Sequence, residues 1–385
     1  MINKNSIIQN TPLNIDTSTP VWINRTPSFP DRVVKVATLF SGIGAPEHAF
    51  VRLGIKTDIK FACDINEFCK KTYFANHDIT LERWYDDVTM IDATMYHDDV
   101  DILIGGAPCQ AFSQAGDRLG FEDPRGVLFL EFARVVNECK PKVFIFENVR
   151  GMMTHERGKT WNAVRHTFQN ECDYKIFFQV LDAKHYGVPQ TRRRLFVIGF
   201  RDDLDFKYPH PVNLVHSVFD YLQDRTDSKF YIPDQNVKFI TRSRERLDAA
   251  LNGTLDVSRE DNLLPNEFSF PLMKIDNKYY MSDKMMKYIM KENFGKPTLD
   301  MKIAKTLTRT MTKMHKASID NYYTDDKGTR RITPRESLRL MGFRDSFKIV
   351  VSDSNIFMQA GNSMVVDCIM ALLQQLDITR FSDEN

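Results

Sequence analysis

The chain has no excess of charge of either sign. Its 52 lysines and arginines are balanced by 51 aspartates and glutamates, so any basic surface has to be local. It also lacks an apolar run of about 18 residues, the length that a membrane-spanning helix needs. The N-terminal stretch MINKNSIIQNTPLNIDTSTP has no compact apolar core of the kind found in signal peptides. We therefore expect a cytoplasmic protein that does not associate with a membrane.

Cysteine is scarce, and its spacing argues against two kinds of small domain. The six cysteines form no CxxC pair and no cluster with histidine at zinc-ligand spacing. Neither a disulfide scaffold nor a bound metal is expected. The sequence also lacks a GxxxxGK[ST] phosphate loop and the third glycine of a full GxGxxG motif. A ligand that is held through its phosphates is therefore not expected.

The chain has room for about two domains. Residues 1–32 hold four prolines among polar residues, which predicts an extended or loosely ordered arm. Over residues 33–200, short apolar runs alternate with helical patterns, which predicts an α/β fold with a mostly parallel sheet covered on both faces. Residues 201–354 are irregular, which predicts a second, smaller domain. Residues 355–385 contain GNSMVVDCIMALLQQL, which predicts a helix opened by Asn or Ser and buried along one side.

Two glycines and two aspartates form a candidate ligand site. Gly42 and Gly44 lie between a predicted strand and a predicted helix, where a tight turn lets backbone amides approach a ligand; a purely structural turn is the alternative. Asp64 ends the next strand, where a carboxylate can accept hydrogen bonds from both ribose hydroxyls. Asp87 follows a third strand and is either an acceptor for an adenine amine or a solvated loop acid. The set predicts a ligand with an adenosine and no phosphate.

Chemically capable side chains follow or precede three further strands. Cys109 stands in GGAPCQAFSQAG after the apolar run VDILI, where open α/β sheets place their active sites, although many cysteines are inert packing. Glu147 follows the apolar residues VFIF in VFIFENVRG, at a dry boundary that would raise the pKa of a general acid; a helix-capping or salt-bridged acid is the alternative. Arg192 and Arg194 share one face of a strand, opposite Arg193, and suit a carbonyl oxygen or a phosphate.

A basic run lies in the irregular region. Residues 301–316 contain no acidic residue, and they form either a solvated face or a surface that contacts phosphates. The basic residues are Lys302, Lys305, Arg309, Lys313 and Lys316.

The ordered series of motifs resembles the DNA (cytosine-5) methyltransferase family of bacterial or phage type. The resemblance covers most of residues 35–370. Its stretches are FSGIGA, CDIN, GGAPCQAFSQAG, RGVLFLEFARVV, ENVRG, QTRRRLFVIGF, KTLTRT, RRITPRESLRLMGF and QAGNSMVV. It implies a Rossmann-like catalytic domain that binds S-adenosylmethionine at 33–200, a target-recognition domain at 201–354, and a segment at 355–385 that completes the catalytic domain.

The resemblance also implies a reaction. A methyl group would pass from S-adenosylmethionine to carbon 5 of a cytosine flipped out of duplex DNA, while Cys109 is bonded to carbon 6. Glu147 would bond N3 of the ring, Arg194 its O2 oxygen, and Arg192 would support the lid or the bound base.

Further roles carried by the resemblance concern the cofactor and the DNA. The implied cofactor residues are Phe40, Gly42, Gly44, Asp64, Ile65, Asp87, Val88, Gly106, Pro108, Leu128, Asn362, Ser363 and Met364. The implied DNA contacts are Gln110, Ser113 and Arg118 in a lid at 110–126, and Lys305, Thr306, Thr308 and Arg309 in the basic run.

Three other readings compete with this hypothesis. A transfer RNA methyltransferase of the same family would carry a Cys-Phe-Thr tripeptide, which this chain lacks. A DNA-binding regulator without catalysis would not need the cysteine, acid and arginine together. A nicotinamide dehydrogenase would need the missing third glycine. We expect a monomer, with a cognate restriction endonuclease as a partner in function and not in a complex.

Overall fold

The computed structural model describes residues 33–108, 127–231, 299–311 and 320–376. The predicted arm at 1–32 and the predicted lid at 110–126 lie outside the described residues, as do 232–298, 312–319 and 377–385.

Seven strands of the described chain form one sheet, and two more form a hairpin. The sheet strands are β1 Val33–Leu39, β2 Lys56–Cys63, β3 Trp84–Tyr85, β4 Ile102–Gly105, β5 Val143–Val149, β6 Lys175–Asp182 and β7 Arg193–Phe200. The hairpin strands are β8 Tyr322–Asp325 and β9 Gly328–Arg331.

The sheet order is β3-β2-β1-β4-β5-β7-β6. Strands β1 to β5 pair in parallel, and only β7 runs antiparallel to its two neighbours. The predicted mostly parallel α/β sheet is therefore confirmed. The strand order reverses between β1 and β4, and ligands of open α/β sheets bind beyond the carboxyl ends of strands at such a point.

Helices cover both faces of this sheet. They are α1 Ala45–Leu53, α2 Glu67–Asn76, α3 Val127–Cys139, α4 Lys159–His166, α5 Pro334–Arg339, α6 Asp353–Asn362 and α7 Val366–Leu373. Strand side chains alternate between two apolar clusters: Val143 and Ile145 of β5 join one, whereas Phe144 and Phe146 join the other. This alternation is what a strand buried on both faces requires.

The C-terminal helix packs against the first helix. Arg52 of α1 donates to the Asp367 carboxylate of α7 at 2.7 Å and to the Gly342 carbonyl at 2.7 Å. The predicted opening of this helix was wrong. Ser363 N bonds back to the Gln359 carbonyl at 2.9 Å, so Asn362 and Ser363 end α6, and α7 begins only at Val366.

The burial of α7 also differs from the prediction. Every residue of α7 except Asp367 is buried, so the helix is not buried along one side only. The stretch Asp353–Leu373, which spans α6, the break at 363–365 and α7, is the one stretch of the described chain that is long and apolar enough to cross a membrane, and most of it is buried in the fold as in a core helix.

The described parts of the predicted small domain share a core with the sheet. Phe206, Tyr221, Leu307 and Tyr323 belong to the same apolar cluster as β1 and α7. The capping box of Thr333 and Glu336 opens α5 as a short helix. The domain boundaries at 200 and 354 remain predictions.

Candidate active site

One row of register partners marks the carboxyl ends of four neighbouring strands. The partners are Cys63, Leu39, Gly105 and Phe146. The next residue of each strand lies at the same edge of the sheet. These residues are Asp64, Phe40, Gly106 and Glu147. Since neighbouring strands are about 4.8 Å apart, Asp64 and Glu147 lie roughly 14 Å from each other along this edge. The sheet thus brings the two predicted acids to one edge.

The turn after β1 is built from left-handed residues. Phe40, Gly42 and Gly44 have φ values of 53°, 57° and 80°. A Cβ atom on Gly44 would lie 2.1 Å from His77 Nε2, so only glycine fits there. A Cβ atom on Gly42 would meet no atom within 4 Å, so the turn leaves open space at that point.

Asp64 fixes this turn to the end of β2. Its Oδ2 accepts from Gly42 N at 2.8 Å, and its Oδ1 accepts from Asn66 N at 2.8 Å. Burial raises the pKa of the Asp64 carboxyl, and these two backbone bonds offset part of the rise. The neighbouring Ile65 is 82% exposed, which is unusual for isoleucine. An acid and an exposed apolar side chain therefore stand side by side next to the open turn.

Asp87 acts locally as a cap. Its Oδ1 accepts from both Thr89 N and Thr89 Oγ1 at 2.9 Å. Val88 beside it is buried, and its carbonyl accepts from Arg134 Nη2 at 3.0 Å. The arrangement holds the loop after β3 in place at the same edge of the sheet, and the predicted adenine contacts of both residues remain predictions.

Gly106 stands where two other predicted site residues converge. A Cβ atom at this position would lie 3.1 Å from Glu147 Oε2 and 3.2 Å from Met364 Cε. Such contacts are tighter than most side chains make, so glycine lets Glu147 and Met364 approach the β4 backbone. Pro108, two residues on, is exposed, and Cys109 lies outside the described residues together with Gln110, Ser113 and Arg118.

Glu147 is paired with Arg194. Arg194 Nε lies 3.1 Å from Glu147 Oε1, and both side chains are largely shielded from solvent, with exposed fractions of 19% and 13%. Burial raises the pKa of the Glu147 carboxyl, and the positive charges of Arg194 and Arg192 offset part of this rise. A carboxyl group with a raised pKa can hold a proton and donate it, as general acid catalysis requires.

Comparison with known proteins identifies the family. The model of the C-5 cytosine-specific DNA methylases matches residues 34–377. The chain belongs to this family. It is accordingly a DNA (cytosine-5) methyltransferase, and the resemblance seen in its motifs is confirmed.

Two relatives of this methylase are bacterial Type II methyltransferases. M1.ScrFI of Lactococcus lactis subsp. cremoris is 32% identical over 347 residues, which cover 89% of this chain and 77% of that protein. M.NlaX of Neisseria lactamica is 32% identical over 348 residues, which cover 89% of this chain and 96% of that protein.

Solved structures share the fold of the methylase. The Entamoeba histolytica methyltransferase EhMeth superposes with a TM-score of 0.63 at 17% identity, over 91% of this chain and 100% of that one. The Dnmt2 methyltransferase of S. pombe gives a TM-score of 0.61 at 17% identity, over 89% of this chain and 97% of that one. At these identities the likeness concerns the fold alone.

Arg192 is placed differently from the expectation that its guanidinium would bind a ligand or support the lid. Its side chain is buried, and it donates to the carbonyl of Leu307 at 2.8 Å and to those of Gly361 and Ser363 at 3.1 and 2.8 Å. Burial and the neighbouring Arg194 lower the pKa of Arg192 to about 9, so the group is still protonated at neutral pH. Arg192 therefore binds the backbone of the methylase, whereas Arg193 is exposed on the opposite face as predicted.

The remaining cofactor candidates belong to the end of α6 and to α3. Asn362 is exposed, whereas Ser363 is buried and its Oγ donates to the Met364 carbonyl at 3.0 Å. Leu128 is half-buried in the first turn of α3 and packs against the second apolar cluster.

The DNA-contact candidates of the basic run are only partly described. Lys305 and Thr308 are half-buried, and Arg309 is exposed together with Lys302. Thr306 Oγ1 donates to the Thr191 carbonyl at 2.5 Å, which anchors this stretch beside β7. Lys313 and Lys316 lie outside the described residues.

Two buried polar residues escaped the sequence reasoning. Asn148 Nδ2 donates to the Ala107 carbonyl at 3.1 Å, which ties β5 to the chain two residues before Cys109. Gln190 donates to the Leu340 carbonyl at 2.8 Å and accepts from Leu307 N at 3.0 Å. The sequence signal that could have found them is an amide residue next to an apolar strand. When such a residue is buried, its amide needs specific hydrogen-bond partners.

The described part of the methylase contains no group of three or more His, Cys, Asp or Glu side chains that could hold a metal ion.

Proposed function

We propose that the enzyme methylates cytosine within a specific sequence of duplex DNA, using S-adenosylmethionine, a flipped base and a covalent bond from Cys109 to carbon 6. The observation that carries the proposal is the Glu147–Arg194 pair, 3.1 Å apart at the strand edge that also bears Gly106. An acid and a guanidinium so placed match the N3 and O2 atoms of one pyrimidine ring.

The residues at the donor end fit S-adenosylmethionine. Gly42 leaves room beside its backbone, Asp64 offers a carboxylate, and Ile65 presents an uncovered apolar surface. A sugar, an adenine ring and an amino acid need these three features, whereas a phosphate would need a cradle that the sequence lacks. When bound, S-adenosylmethionine supplies an electrophilic methyl group on its sulfonium sulfur.

The protein's own groups activate the acceptor carbon. Carbon 5 of cytosine is a weak nucleophile until a thiolate adds to carbon 6, and Cys109 would supply that thiolate. Glu147 gives a proton to N3 as the ring gains electrons, and Arg194 stabilises the charge on O2. After methyl transfer, a base such as water takes the carbon 5 proton, the carbon 5–carbon 6 double bond re-forms and expels the thiolate, and N3 returns its proton to Glu147. The thiol and the methyl group approach opposite faces of the ring, which requires the base to leave the stack at a cost of a few kcal/mol.

The biological setting we propose follows the relatives. M1.ScrFI and M.NlaX are Type II methyltransferases, so this enzyme would protect a short DNA site from a cognate endonuclease in a bacterial cytoplasm. Transfer RNA is the alternative substrate, and the experiment below compares it with DNA.

Expression of the chain in a host without cytosine methylation should settle activity and target together. Bisulfite sequencing of the host DNA should reveal one short motif in which a single cytosine resists conversion. Purified enzyme should then incorporate more methyl label into a duplex carrying that motif than into transfer RNA. Label confined to transfer RNA, with fully converted host DNA, would replace DNA methylation by the alternative.

Ile65→Ala should weaken cofactor binding without destabilising the fold. Loss of an apolar contact with the adenine of about 1–2 kcal/mol corresponds to a roughly 5- to 30-fold rise in KM for S-adenosylmethionine. Because Ile65 is 82% exposed, the melting temperature without ligand should stay unchanged. Val215→Ala, at a side chain that is 79% exposed, is the matched control and should alter neither quantity. An unchanged KM in the Ile65 variant would remove Ile65 from the adenine site.

A further inference from the structure

The guanidinium of Arg192 joins two segments that are far apart in the chain. One is the recognition segment, residues 304–309, which it reaches through the Leu307 carbonyl at 2.8 Å. The other is the α6 end, residues 361–364, which it reaches through the carbonyls of Gly361 and Ser363 at 3.1 and 2.8 Å. These segments hold the predicted DNA contacts and the last predicted cofactor contacts, respectively. One buried cation therefore touches both.

The recognition segment is seated on the residues just before β7. Thr191 N donates to the Ala304 carbonyl at 2.8 Å, and Ala304 N donates to the Pro189 carbonyl at 2.8 Å. Gln190 Oε1 accepts from Leu307 N at 3.0 Å. These bonds would hold the segment near β7 even without Arg192, because none of them involves its side chain. The contribution of Arg192 is instead the connection to the α6 end.

The two segments also touch directly. A Cβ atom on Gly361 would lie 2.2 Å from Thr308 C and 2.4 Å from Arg309 N, both of which are backbone atoms. Backbone this close leaves no room for one segment to move toward the other. A displacement of the α6 end toward the recognition segment would therefore push on Thr308 and Arg309.

Because Arg192 is charged and buried, it needs hydrogen-bond acceptors from both segments. A buried guanidinium is costly unless its donors are bonded; here Nη1 and Nη2 donate to carbonyls of the two segments, whereas Nε has no partner among the described residues. If either segment moves away, the cation loses acceptors, so the arrangement with both segments docked is favoured over one with a single segment docked. The charges of Arg194 and Glu147 also act on Arg192, since the first lowers its pKa and the second raises it.

We propose that Arg192 is a positioning residue that couples cofactor binding to DNA binding by holding the recognition segment and the α6 end in one arrangement. This inference rests on the proposed function, because it takes the first segment as a DNA contact and the second as a cofactor contact. Coupling of this kind is reciprocal: each ligand tightens the other by the same factor.

The test measures that factor with S-adenosylhomocysteine, which binds without reacting, and a duplex carrying the motif found by bisulfite sequencing. Affinities for each ligand are measured alone and with the other saturating, at one fixed salt concentration. We expect the wild-type enzyme to show a factor of about 10 or more, within the usual 5- to 150-fold range. In Arg192→Lys, which keeps the charge but not the fork of donors, the factor should fall to about 1–3 while each single-ligand affinity changes little.

Two further variants separate coupling from folding. Gly361→Ala leaves Arg192 intact but forces Thr308 away, and it should lower the factor in the same way. Arg335→Ala is the control, because Arg335 also donates to two backbone carbonyls, those of Arg344 and Phe347, but touches neither segment. It should keep the wild-type factor.

The outcomes distinguish the two proposals. A wild-type chain that methylates no DNA removes the proposed function. A wild-type chain that methylates its motif but shows no coupling, or variants at Arg192 and Gly361 that couple as the wild type does, would overturn the positioning role alone. If Arg335→Ala also lowered the coupling factor, the effect of the Arg192 variant would reflect a less stable fold and not a positioning role.

Discussion

Glu147→Gln should lower kcat for methyl transfer by about 10²- to 10⁴-fold, the usual contribution of a positioned general acid. Glutamine has nearly the same shape and can still donate a hydrogen bond to N3, but it has no proton to transfer. Arg194 keeps its bond to the Arg193 carbonyl at 2.9 Å, so the loss of its 3.1 Å carboxylate partner should not remove it from the site. Affinity for S-adenosylhomocysteine should therefore change little, and the effect should fall on kcat.

The pH profile offers a second readout of the same substitution. Burial raises the pKa of Glu147, so its protonated fraction stays significant to higher pH than for an ordinary glutamate and falls as pH rises through that pKa. The rate of the wild-type enzyme should decline on the alkaline side for this reason, and Glu147→Gln should lose that limb.

A matched control is available near the amino end of β2. Asp58 accepts a hydrogen bond from Arg83 Nη1 at 2.6 Å, so Asp58→Asn weakens a carboxylate–arginine pair at the opposite edge of the sheet and should leave kcat unchanged. A Glu147 variant with kcat within tenfold of wild type and an unaltered alkaline limb would exclude Glu147 as the acid.

The sheet was predictable because its sequence signals are local. Each parallel strand is a short apolar run that ends in a residue unsuited to a strand, such as Asp64 or Gly105, and the alternation with helical patterns sets the fold class. Since parallel strands end at one edge, the same signals also predicted which acids would share the site. The helix α6 was not predicted, because one of its residues is determined by a contact with a distant part of the chain. It contains Gly361, which disfavours a helix by about 1 kcal/mol and is present because Thr308 packs against it.

The connections around the site depend on contacts that sequence periodicity does not encode. Asn148 and Ala107 are 41 residues apart, and Gln190 lies 117 residues from Leu307. The acceptors of Arg192 are backbone carbonyls, which every residue carries, so no residue type marks them in the sequence. From the sequence alone, an arginine before a strand could equally bind a ligand or donate to backbone carbonyls. Only the fold shows which of the two it does.

Cys109→Ala should abolish methyl transfer, and it should also abolish a covalent complex with duplex DNA in which the target cytosine is replaced by 5-fluorocytosine. Fluorine on carbon 5 cannot leave as the proton does, so the wild-type enzyme should stop after methyl transfer with the thiol still bonded to carbon 6. That complex should survive denaturing electrophoresis, and its mass should equal protein plus DNA plus one methyl group.

The five described cysteines are poor candidates for the nucleophile, so the test depends on Cys109. Cys63, Cys69, Cys139, Cys172 and Cys368 are all buried. Burial raises the pKa of each of these thiols, which disfavours the thiolate that must attack. Cys172→Ala should therefore retain both the adduct and full activity. An active enzyme that forms no adduct, or an adduct that persists in Cys109→Ala, would contradict covalent catalysis through Cys109, because the described thiols offer no nucleophile in its place.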